Sequence, residues 1–337
     1  MNIGVIGAGS WGTALAVMLG NKGFNVVLWA RRKELVEKFS STGENPEYLS
    51  GISFPATVYP TDDLEKAVTG KELIVLAVPS HAVSETTGNI KDYLEKDCII
   101  VNTAKGIAEE ALKRLSQVIE YELSPEVKAK IAVISGPNHA EEVVRGIPTA
   151  TVVSSREQEI AEKVQDVFMG STFRVYTNTD LTGVELGGAF KNIIAIGAGI
   201  CEGMGFGDNT KAALLTRGLV EITRIGVAMG AKSNTFSGLT GVGDLFVTCT
   251  STHSRNRYVG LMLGKGSTVT EITSSMKMVA EGIKTAKAAK ELSRIYEIEM
   301  PISNEVYDIL FQGKTPLEGV KSLMRRDKTF EMEDVEF

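Results

Sequence analysis

The sequence predicts an α/β fold in which a doubly wound, mostly parallel sheet forms a first domain and helices alone form a second. Over the first half of the 337 residues, runs of β-branched residues alternate with segments that have helical spacing. These runs are continuously apolar, as expected of strands that are covered on both faces. Beyond about residue 178 the strand pattern ends. We therefore place the first domain at 1–180 and the second at 181–337.

Six runs predict the strands of the first domain, and two segments between them predict helices. The strands are "NIGVIG" (2–7), "NVVLWA" (25–30), "ELIVLAVP" (72–79), "CIIVNTA" (98–104), "KIAVISGP" (130–137) and "TATVVS" (149–154). The helices are "WGTALAVMLGNKG" (11–23) and "EEALKRLSQVIEYEL" (109–123). Strands that alternate with helices predict βαβ units and hence a parallel sheet.

Three segments predict the main helices of the second domain. They are "TKAALLTRGLVEITRIGVAMG" (210–230), "TAKAAKELSRIYEIE" (285–299) and "ISNEVYDILFQGK" (302–314). Pro301 precedes the last of them and Gly313 ends it, as proline and glycine do at helix boundaries.

Composition excludes several classes of partner. A net charge of −6 argues against nucleic acid and against an anionic membrane surface, because both require a basic face. Three cysteines in no paired spacing indicate a reducing, cytoplasmic location, and the three histidines have no metal-ligand spacing, so we expect no metal. The longest apolar stretch is interrupted by Glu185, Lys191 and Glu202, which argues against an integral membrane protein.

The segment "GAGSWG" (7–12) lies between the first predicted strand and the first predicted helix. In this context G-x-G-x-x-G is the fingerprint of a Rossmann-type dinucleotide-binding domain. Gly7 permits the tight turn, Gly9 lets the pyrophosphate approach the backbone, and Gly12 lets the helix pack closely on the strand. The alternative is a turn of purely structural importance.

Two arginines follow the second predicted strand, where NAD-binding domains usually carry Asp or Glu. Guanidinium groups pair with phosphate, so Arg31 and Arg32 favour the 2′-phosphate of NADP over NAD. An exposed basic loop is the alternative.

Lys191 is the first candidate for chemistry, since it is a lone cation in the apolar, glycine-rich segment 184–209. Burial lowers the pKa of an amine toward the range of a general base. Small residues at helical spacing predict a groove above the amine; they are Gly187, Gly188, Ala195 and Ala198. The alternatives are that Lys191 extends to solvent or that it forms a structural ion pair with Glu185 or Asp208.

Two further clusters indicate a ligand site. Lys105 and "SGPNHA" (135–140) follow consecutive predicted strands, and ligands bind at the carboxyl edge of such sheets. In "SRNR" (254–257), Ser254 has the position of a helix N-cap and is followed by basic residues. Cations at a helix N-terminus favour a bound anion, so this segment predicts a phosphate socket. A common turn and a solvated basic turn are the respective alternatives.

Together these motifs resemble the bacterial NAD(P)-dependent glycerol-3-phosphate dehydrogenase family. The similarity rests on "GAGSWGTALA", "AKGI", "SGPNHA", "GGAFKNIIAIGAGICEGMGFGDN", "GVGDL", "SRNR" and "VAEG", and extends from residue 4 to beyond 320. The resemblance implies a Rossmann-type sheet domain with a second all-α domain, and a homodimer. It also implies reversible conversion of sn-glycerol 3-phosphate to dihydroxyacetone phosphate with NADP or NAD, for phospholipid synthesis.

The resemblance also implies roles for individual residues. Lys191 would be the general base, Lys105 would stabilise developing negative charge, and Asp244 would orient Lys191 or a substrate hydroxyl. The residues implied to bind the cofactor are Gly7, Gly9, Ser10, Trp11, Gly12, Arg31, Arg32, Lys105, Ala140, Arg255, Val279 and Glu281. Those implied to bind the substrate are Lys105, Gly136, Asn138, Lys191, Asn192, Asp244, Ser254, Arg255 and Asn256.

One position departs from the family pattern. Relatives carry Ser or Thr with an aromatic neighbour where this chain has Asn138 and His139. An amide can also donate a hydrogen bond to a substrate oxygen.

Two other functions are compatible with part of the pattern. A β-hydroxyacid dehydrogenase of the 6-phosphogluconate type also joins a Rossmann-type domain to a helical one and uses a lysine. A non-catalytic redox sensor would need "GAGSWG" but has no use for Lys191, Lys105 and Asp244 together.

Overall fold

The computed structural model describes residues 1–123, 130–276 and 279–331. Within them the chain divides into two compact units. The first comprises Met1–Ala104 and Leu115–Leu181, and the second comprises Lys105–Arg114 and Thr182–Phe337. The ten-residue segment Lys105–Arg114 therefore belongs with the helical unit, although it lies within the range 1–180 of the predicted sheet domain. The division into two domains at 1–180 and 181–337 stays a prediction.

Eight of the described strands form one sheet in the order β12-β11-β10-β7-β6-β1-β2-β5. The strands are β1 (Asn2–Ile6), β2 (Asn25–Trp29), β3 (Glu44–Asn45), β4 (Leu49–Ser53), β5 (Val58–Thr61), β6 (Leu73–Leu76), β7 (Ile99–Asn102), β8 (Ile107–Ala108), β9 (Lys113–Arg114), β10 (Ile131–Ser135), β11 (Thr149–Ser155) and β12 (Phe173–Asn178). The order reverses about β1, so the sheet is doubly wound as predicted.

The helices surround this sheet and build the second unit. They are α1 (Ser10–Asn21), α2 (Lys33–Thr42), α3 (Leu64–Val68), α4 (Val83–Ile90), α5 (Leu115–Glu122), α6 (Ala140–Val143), α7 (Gln158–Phe168), α8 (Leu181–Gly203), α9 (Asp208–Ala228), α10 (Asp244–Thr250), α11 (Arg255–Gly264), α12 (Val269–Ser275), α13 (Glu281–Ile295), α14 (Pro301–Phe311) and α15 (Pro316–Met324). Three short 3-10 turns and one π turn also lie within the described residues: Ser80–Ala82, Lys91–Tyr93, Ser233–Ser237 and Leu239–Gly243.

The sheet is mostly parallel, which confirms the predicted fold class. In the large sheet, the six adjacent strands β10, β7, β6, β1, β2 and β5 are all parallel. β11 instead runs antiparallel to β10, and β12 is parallel to β11. The six predicted strands all form. β5 and β12 were not predicted, because each exposes part of its length and lacks the continuous apolar pattern.

The prediction of one helix over 109–123 is wrong in its first part. β8 and β9 form an antiparallel hairpin, with Ile107 opposite Arg114 and Ala108 opposite Lys113, and α5 begins only at Leu115. Ile107 is buried in the core of the second unit, and Arg114 pairs with a buried carboxylate there. These long-range contacts outweigh the local helical pattern.

α8 is the central helix of the second unit. It is 23 residues long and apolar enough to cross a membrane, but the whole apolar window is buried within the protein, as in the core helix of a globular domain. Its C-terminal glycines contact α11 backbone to backbone. A Cβ added at Gly199 would lie 2.1 Å from the carbonyl oxygen of Arg257, and one at Gly260 would lie 1.9 Å from that of Ile196. This close approach fixes where α11 begins relative to α8.

Candidate active site

The glycine loop of the first unit has the geometry that a dinucleotide needs. Gly7 has a φ of +115°, which favours glycine. A Cβ at Gly12 would lie 1.8 Å from the carbonyl oxygen of Gly7, whereas no atom lies within 4 Å of a Cβ at Gly9. The loop is therefore packed tightly at both ends and open at Gly9. Because α1 begins at Ser10, the N-terminus of this helix lies beside the opening, and the residues fit a bound pyrophosphate.

Other predicted cofactor residues lie near this loop within the first unit. Trp11 packs against a buried cluster of Ala14, Leu49 and Ala140, and Ala140 is the first residue of α6. Arg31 and Arg32 follow the carboxyl end of β2 and are exposed. Arg32 is not free, since its Nη2 atom lies 2.6 Å from Oε1 of Glu47. The basic pair therefore has an acidic neighbour that the sequence did not reveal.

Gly136 and Asn138 follow β10, whose carboxyl end lies at the same edge of the sheet as that of the parallel strand β7. Gly136 has a φ of +141°. The Asn138 side chain is buried and donates to the Thr151 hydroxyl over 3.2 Å. One amide hydrogen of Asn138 is thus directed at the protein, and this contact holds the side chain in place.

In the second unit, two lysines share one buried carboxylate. Nζ of Lys105 lies 2.9 Å from Oδ2 of Asp244, and Nζ of Lys191 contacts Oδ1 of the same residue. Lys191 also donates to the Thr248 hydroxyl over 2.6 Å. The side chains of Lys191 and Asp244 are only 5% and 1% exposed, whereas that of Lys105 is 19% exposed. Asp244 is the first residue of α10, directly after the π turn.

The charges of this cluster set the pKa of the buried amine. Burial lowers the pKa of Lys191 to about 7, the nearby Asp244 charge opposes this, and the Lys105 charge adds to it. Burial by itself would raise the pKa of Asp244, but the two ammonium charges outweigh it and hold this pKa below its usual value. Two amines and one carboxylate carry a net charge of zero once one amine loses its proton. Lys191 is therefore able to exchange a proton near neutral pH.

Lys105 reaches this cluster because its segment is anchored in the second unit. At the far end of the segment, Nη1 of Arg114 lies 2.5 Å from Oε2 of Glu185 on α8, and both side chains are buried. In the middle, Glu109 pairs with Lys287 of α13 over 3.1 Å. Ion pairs at three points along the hairpin hold it against the helices.

The structure differs from two expectations for Lys191, the partner of its ion pair and the groove above its amine. Its ion-pair partner is Asp244, since Glu185 pairs with Arg114 and Asp208 is exposed at the start of α9. The expected groove above the amine is also absent at Gly187, where the carbonyl oxygen of Thr240 would lie 2.9 Å from an added Cβ. Ala195 and Ala198 are fully buried in the core. The small residues serve close helix packing.

Beside Lys191, a buried pair of asparagines joins three helices. Asn256 Nδ2 donates to Oδ1 of Asn192 over 2.9 Å, and Oδ1 of Asn256 accepts from the Gly282 amide over 2.9 Å. Ser254 caps α11 by accepting from the amide of Arg257. These contacts hold the N-terminus of α11 beside α8 and α13.

Arg255 and Arg257 of the predicted phosphate socket point to different partners. Nη1 of Arg255 donates to the Val279 carbonyl over 3.0 Å, next to Glu281 at the start of α13. Arg257 instead forms a two-point ion pair with Glu202, with Nε 2.9 Å from Oε2. The charge of Arg257 is thus paired with that of Glu202, whereas the side chain of Arg255 lies against the Val279 carbonyl.

Sequence reasoning missed Thr248, which contacts the buried amine directly. Its signal was present, because Thr248 lies four residues after Asp244 and therefore on the same face of α10. Asn192 was implied by the family resemblance, but its pairing with Asn256 could not be read from the sequence.

Dinucleotide binding in the first unit and a proton-exchanging amine in the second meet the two requirements of a nicotinamide-dependent oxidoreductase. Comparison with known proteins defines the family. Models described as the N-terminus and the C-terminus of NAD-dependent glycerol-3-phosphate dehydrogenase match residues 2–161 and 180–321. The chain belongs to this family, which confirms the resemblance found in the sequence.

Individual relatives match over nearly the whole chain. It is 54% identical over 332 residues to the glycerol-3-phosphate dehydrogenase (NAD(P)+) of Moorella thermoacetica, covering 98% of each chain. It is also 54% identical to that of a Thermoanaerobacter species, covering 99% of this chain and 100% of the relative. Among solved structures, glycerol-3-phosphate dehydrogenase from Coxiella burnetii is 37% identical with a TM-score of 0.92, covering 96% of this chain and 99% of that one.

Proposed function

We propose that this protein catalyses the reversible, NAD(P)-dependent oxidation of sn-glycerol 3-phosphate to dihydroxyacetone phosphate, and so supplies glycerol 3-phosphate for phospholipid synthesis. The observation that carries the proposal is the buried Lys191, which shares Asp244 with Lys105. An alcohol dehydrogenation requires a group that takes up the hydroxyl proton, and an amine with a pKa of about 7 is suited to that role.

In the oxidative direction, neutral Lys191 accepts the proton of the C2 hydroxyl as the hydride leaves C2. In the reductive direction its ammonium group donates that proton to the forming alkoxide. The nicotinamide, when bound, accepts or supplies the hydride. Asp244 orients the amine and balances the charge that Lys191 gains, while Lys105 adds positive charge near the oxygen.

The substrate phosphate binds at the N-terminus of α11 in this proposal. Arg255 supplies the charge, and the Ser254 cap and the Asn192–Asn256 pair hold the helix end in place. Asn256 donates one of its two amide hydrogens to Asn192, and the second is proposed to bind a phosphate oxygen. Gly136 and Asn138 are also proposed to bind the substrate.

The cofactor residues follow from the same proposal. The loop of Gly7, Gly9, Ser10, Trp11 and Gly12 holds the pyrophosphate, and Arg31 with Arg32 binds a 2′-phosphate when NADP is used. The other proposed cofactor contacts come from Lys105, Ala140, Arg255, Val279 and Glu281.

The direct test is an assay of the purified protein with NADPH. We expect NADPH to be oxidised when dihydroxyacetone phosphate is added. With the oxidised forms of hydroxyisobutyrate or 6-phosphogluconate, we expect a much lower rate of NADPH oxidation. A protein that binds NADPH but oxidises none with dihydroxyacetone phosphate would be a sensor rather than this enzyme.

Arg255→Ala is expected to raise the KM for dihydroxyacetone phosphate about 10- to 100-fold with a smaller effect on kcat, because a charged hydrogen bond to the phosphate is lost. Steady-state kinetics measures both constants. Arg257→Ala is the matched control. It removes the same charge from the same helix turn, but the Arg257 side chain pairs with Glu202 and is not proposed to bind the phosphate. An unchanged KM in the Arg255 variant would place the phosphate elsewhere.

Neutral replacements of Arg31 and Arg32 are expected to weaken NADPH binding more than NADH binding, because only NADPH carries the 2′-phosphate. Fluorescence titration of each nucleotide gives the two dissociation constants. Equal losses for both nucleotides would contradict the 2′-phosphate role.

We also propose that the protein is a cytoplasmic homodimer. Three free, buried cysteines in the described residues suit a reducing compartment. Light scattering coupled to size-exclusion chromatography tests the oligomeric state, and a monomeric mass at micromolar concentration would exclude the dimer.

A further inference from the structure

A carboxylate lies against one of the two arginines that follow β2. Nη2 of Arg32 donates to Oε1 of Glu47 over 2.6 Å and to the Tyr48 hydroxyl over 3.2 Å. The Arg32 guanidinium also lies 5.8 Å from the centre of the Tyr48 ring. The hydrogen bond from Arg32 lowers the pKa of Glu47, so the Glu47 carboxylate is ionised at neutral pH. Within the described chain, Arg31 has no such ion pair.

The position of Glu47 is fixed by the glycine loop itself. Glu47 lies in the turn between β3 and β4, two residues after Asn45. Asn45 is fully buried, and its amide donates to the Ala8 carbonyl over 2.9 Å and to the Thr13 hydroxyl over 2.8 Å. Its side-chain oxygen accepts from the amide of Tyr48 over 3.2 Å.

These contacts connect the turn to both ends of the predicted nucleotide site. Ala8 lies in the loop predicted to bind pyrophosphate, and Arg32 lies in the segment predicted to face the ribose. A carboxylate is therefore held beside Arg32, which follows the strand end where NAD-binding domains commonly carry an acidic residue. In this chain the carboxylate comes from a hairpin turn, and the strand end supplies arginines.

We propose that Glu47 limits the preference of this enzyme for NADP, because its charge occupies Arg32 and repels a 2′-phosphate. A 2′-phosphate has to compete with Glu47 for Arg32, whereas the 2′-hydroxyl of NAD carries no charge and meets no such repulsion. The inference rests on the proposed 2′-phosphate role of Arg31 and Arg32. Both cofactors are thereby accepted at one site.

The test is Glu47→Gln, which keeps the size and the hydrogen-bonding oxygen of the side chain and removes its charge. Dissociation constants for NADPH and NADH are measured by fluorescence titration of the full-length protein without substrate. NADPH binding is expected to tighten on the order of fivefold at low ionic strength and less at high ionic strength. NADH binding is expected to stay within about twofold, since the 2′-hydroxyl of NADH carries no charge that Glu47 could repel.

Glu37→Gln is the control, because it removes the same charge from an exposed position on α2. An equal gain in that variant would mean that net charge alone is responsible, and would overturn the inference. Unchanged NADPH binding in Glu47→Gln, or equal weakening of both nucleotides, would also overturn it.

Arg32→Ala separates failure of this inference from failure of the underlying role. Selective loss of NADPH affinity in Arg32→Ala, combined with no change in Glu47→Gln, would leave the 2′-phosphate role intact and remove Glu47 alone. Equal loss of both nucleotides in Arg32→Ala would remove the role itself.

Discussion

Replacing Lys191 with alanine is expected to lower kcat by about 10³-fold, because the reaction loses its proton acceptor and donor. Binding of NADPH is expected to stay near the wild-type value, since the glycine loop lies in the other unit. Circular dichroism and nucleotide titration check folding and binding. Activity within about tenfold of wild type would remove Lys191 from the mechanism, because general acid–base catalysis contributes more than this.

The pH dependence of the wild-type enzyme gives a second test of Lys191. Oxidation needs the neutral amine, so its rate is expected to rise with pH through about 7. Reduction needs the ammonium group, so its rate is expected to fall as the pH rises through the same range. The alanine variant is expected to lose this titration, and addition of a small primary amine to restore part of the rate. A titration that survives in the variant would belong to another group.

Asp244→Asn is expected to have the largest effect on stability and a large effect on rate. It removes the charge shared by Lys105 and Lys191, and loss of one partner from a buried ion pair costs about 3–5 kcal/mol. Because Asp244 raises the pKa of Lys191, that pKa is expected to fall further in the variant. The rise of the oxidation rate with pH then begins at lower pH.

Urea denaturation and the pH–rate profile measure these two effects separately. Asp208→Asn is the control, since it removes a carboxylate from an exposed position at the start of α9. A stability loss in Asp244→Asn no larger than in this control would show that the shared carboxylate is not needed for folding. An unmoved pH profile would show that Asp244 does not act on Lys191.

Much of the fold could be predicted because burial on both faces leaves a continuous apolar pattern. β1, β2, β6, β7 and β10 all have it. β11 was predicted as a strand, but its direction could not be, since direction depends on the connection and not on the residues themselves. The hairpin β8–β9 was missed because its residues also have helical spacing, and only contacts with the second unit decide between the two structures.

The site was predicted less completely, since its contacts join distant parts of the chain. Lys191 was identified by its charge in an apolar helix, but its partner is 53 residues away in sequence. The acidic residues nearer in sequence do not pair with Lys191, because Glu185 pairs with Arg114 and Asp208 is exposed. Glu47 gave no signal at all, because an acidic residue in a polar turn is common and only the structure brings it to Arg32.

The brief excursion of the chain through Lys105–Arg114 has a consequence for how the protein is made. These residues are synthesised long before the helices on which they pack, and the contact of Lys105 with Asp244 alone spans 139 residues. Long-range closure of this kind slows folding. A C-terminal fragment beginning at residue 182 would lack both Lys105 and Arg114. We therefore expect that isolated fragment to be unstable, and expect a nascent chain to remain without its complete catalytic cluster until α10 has emerged from the ribosome.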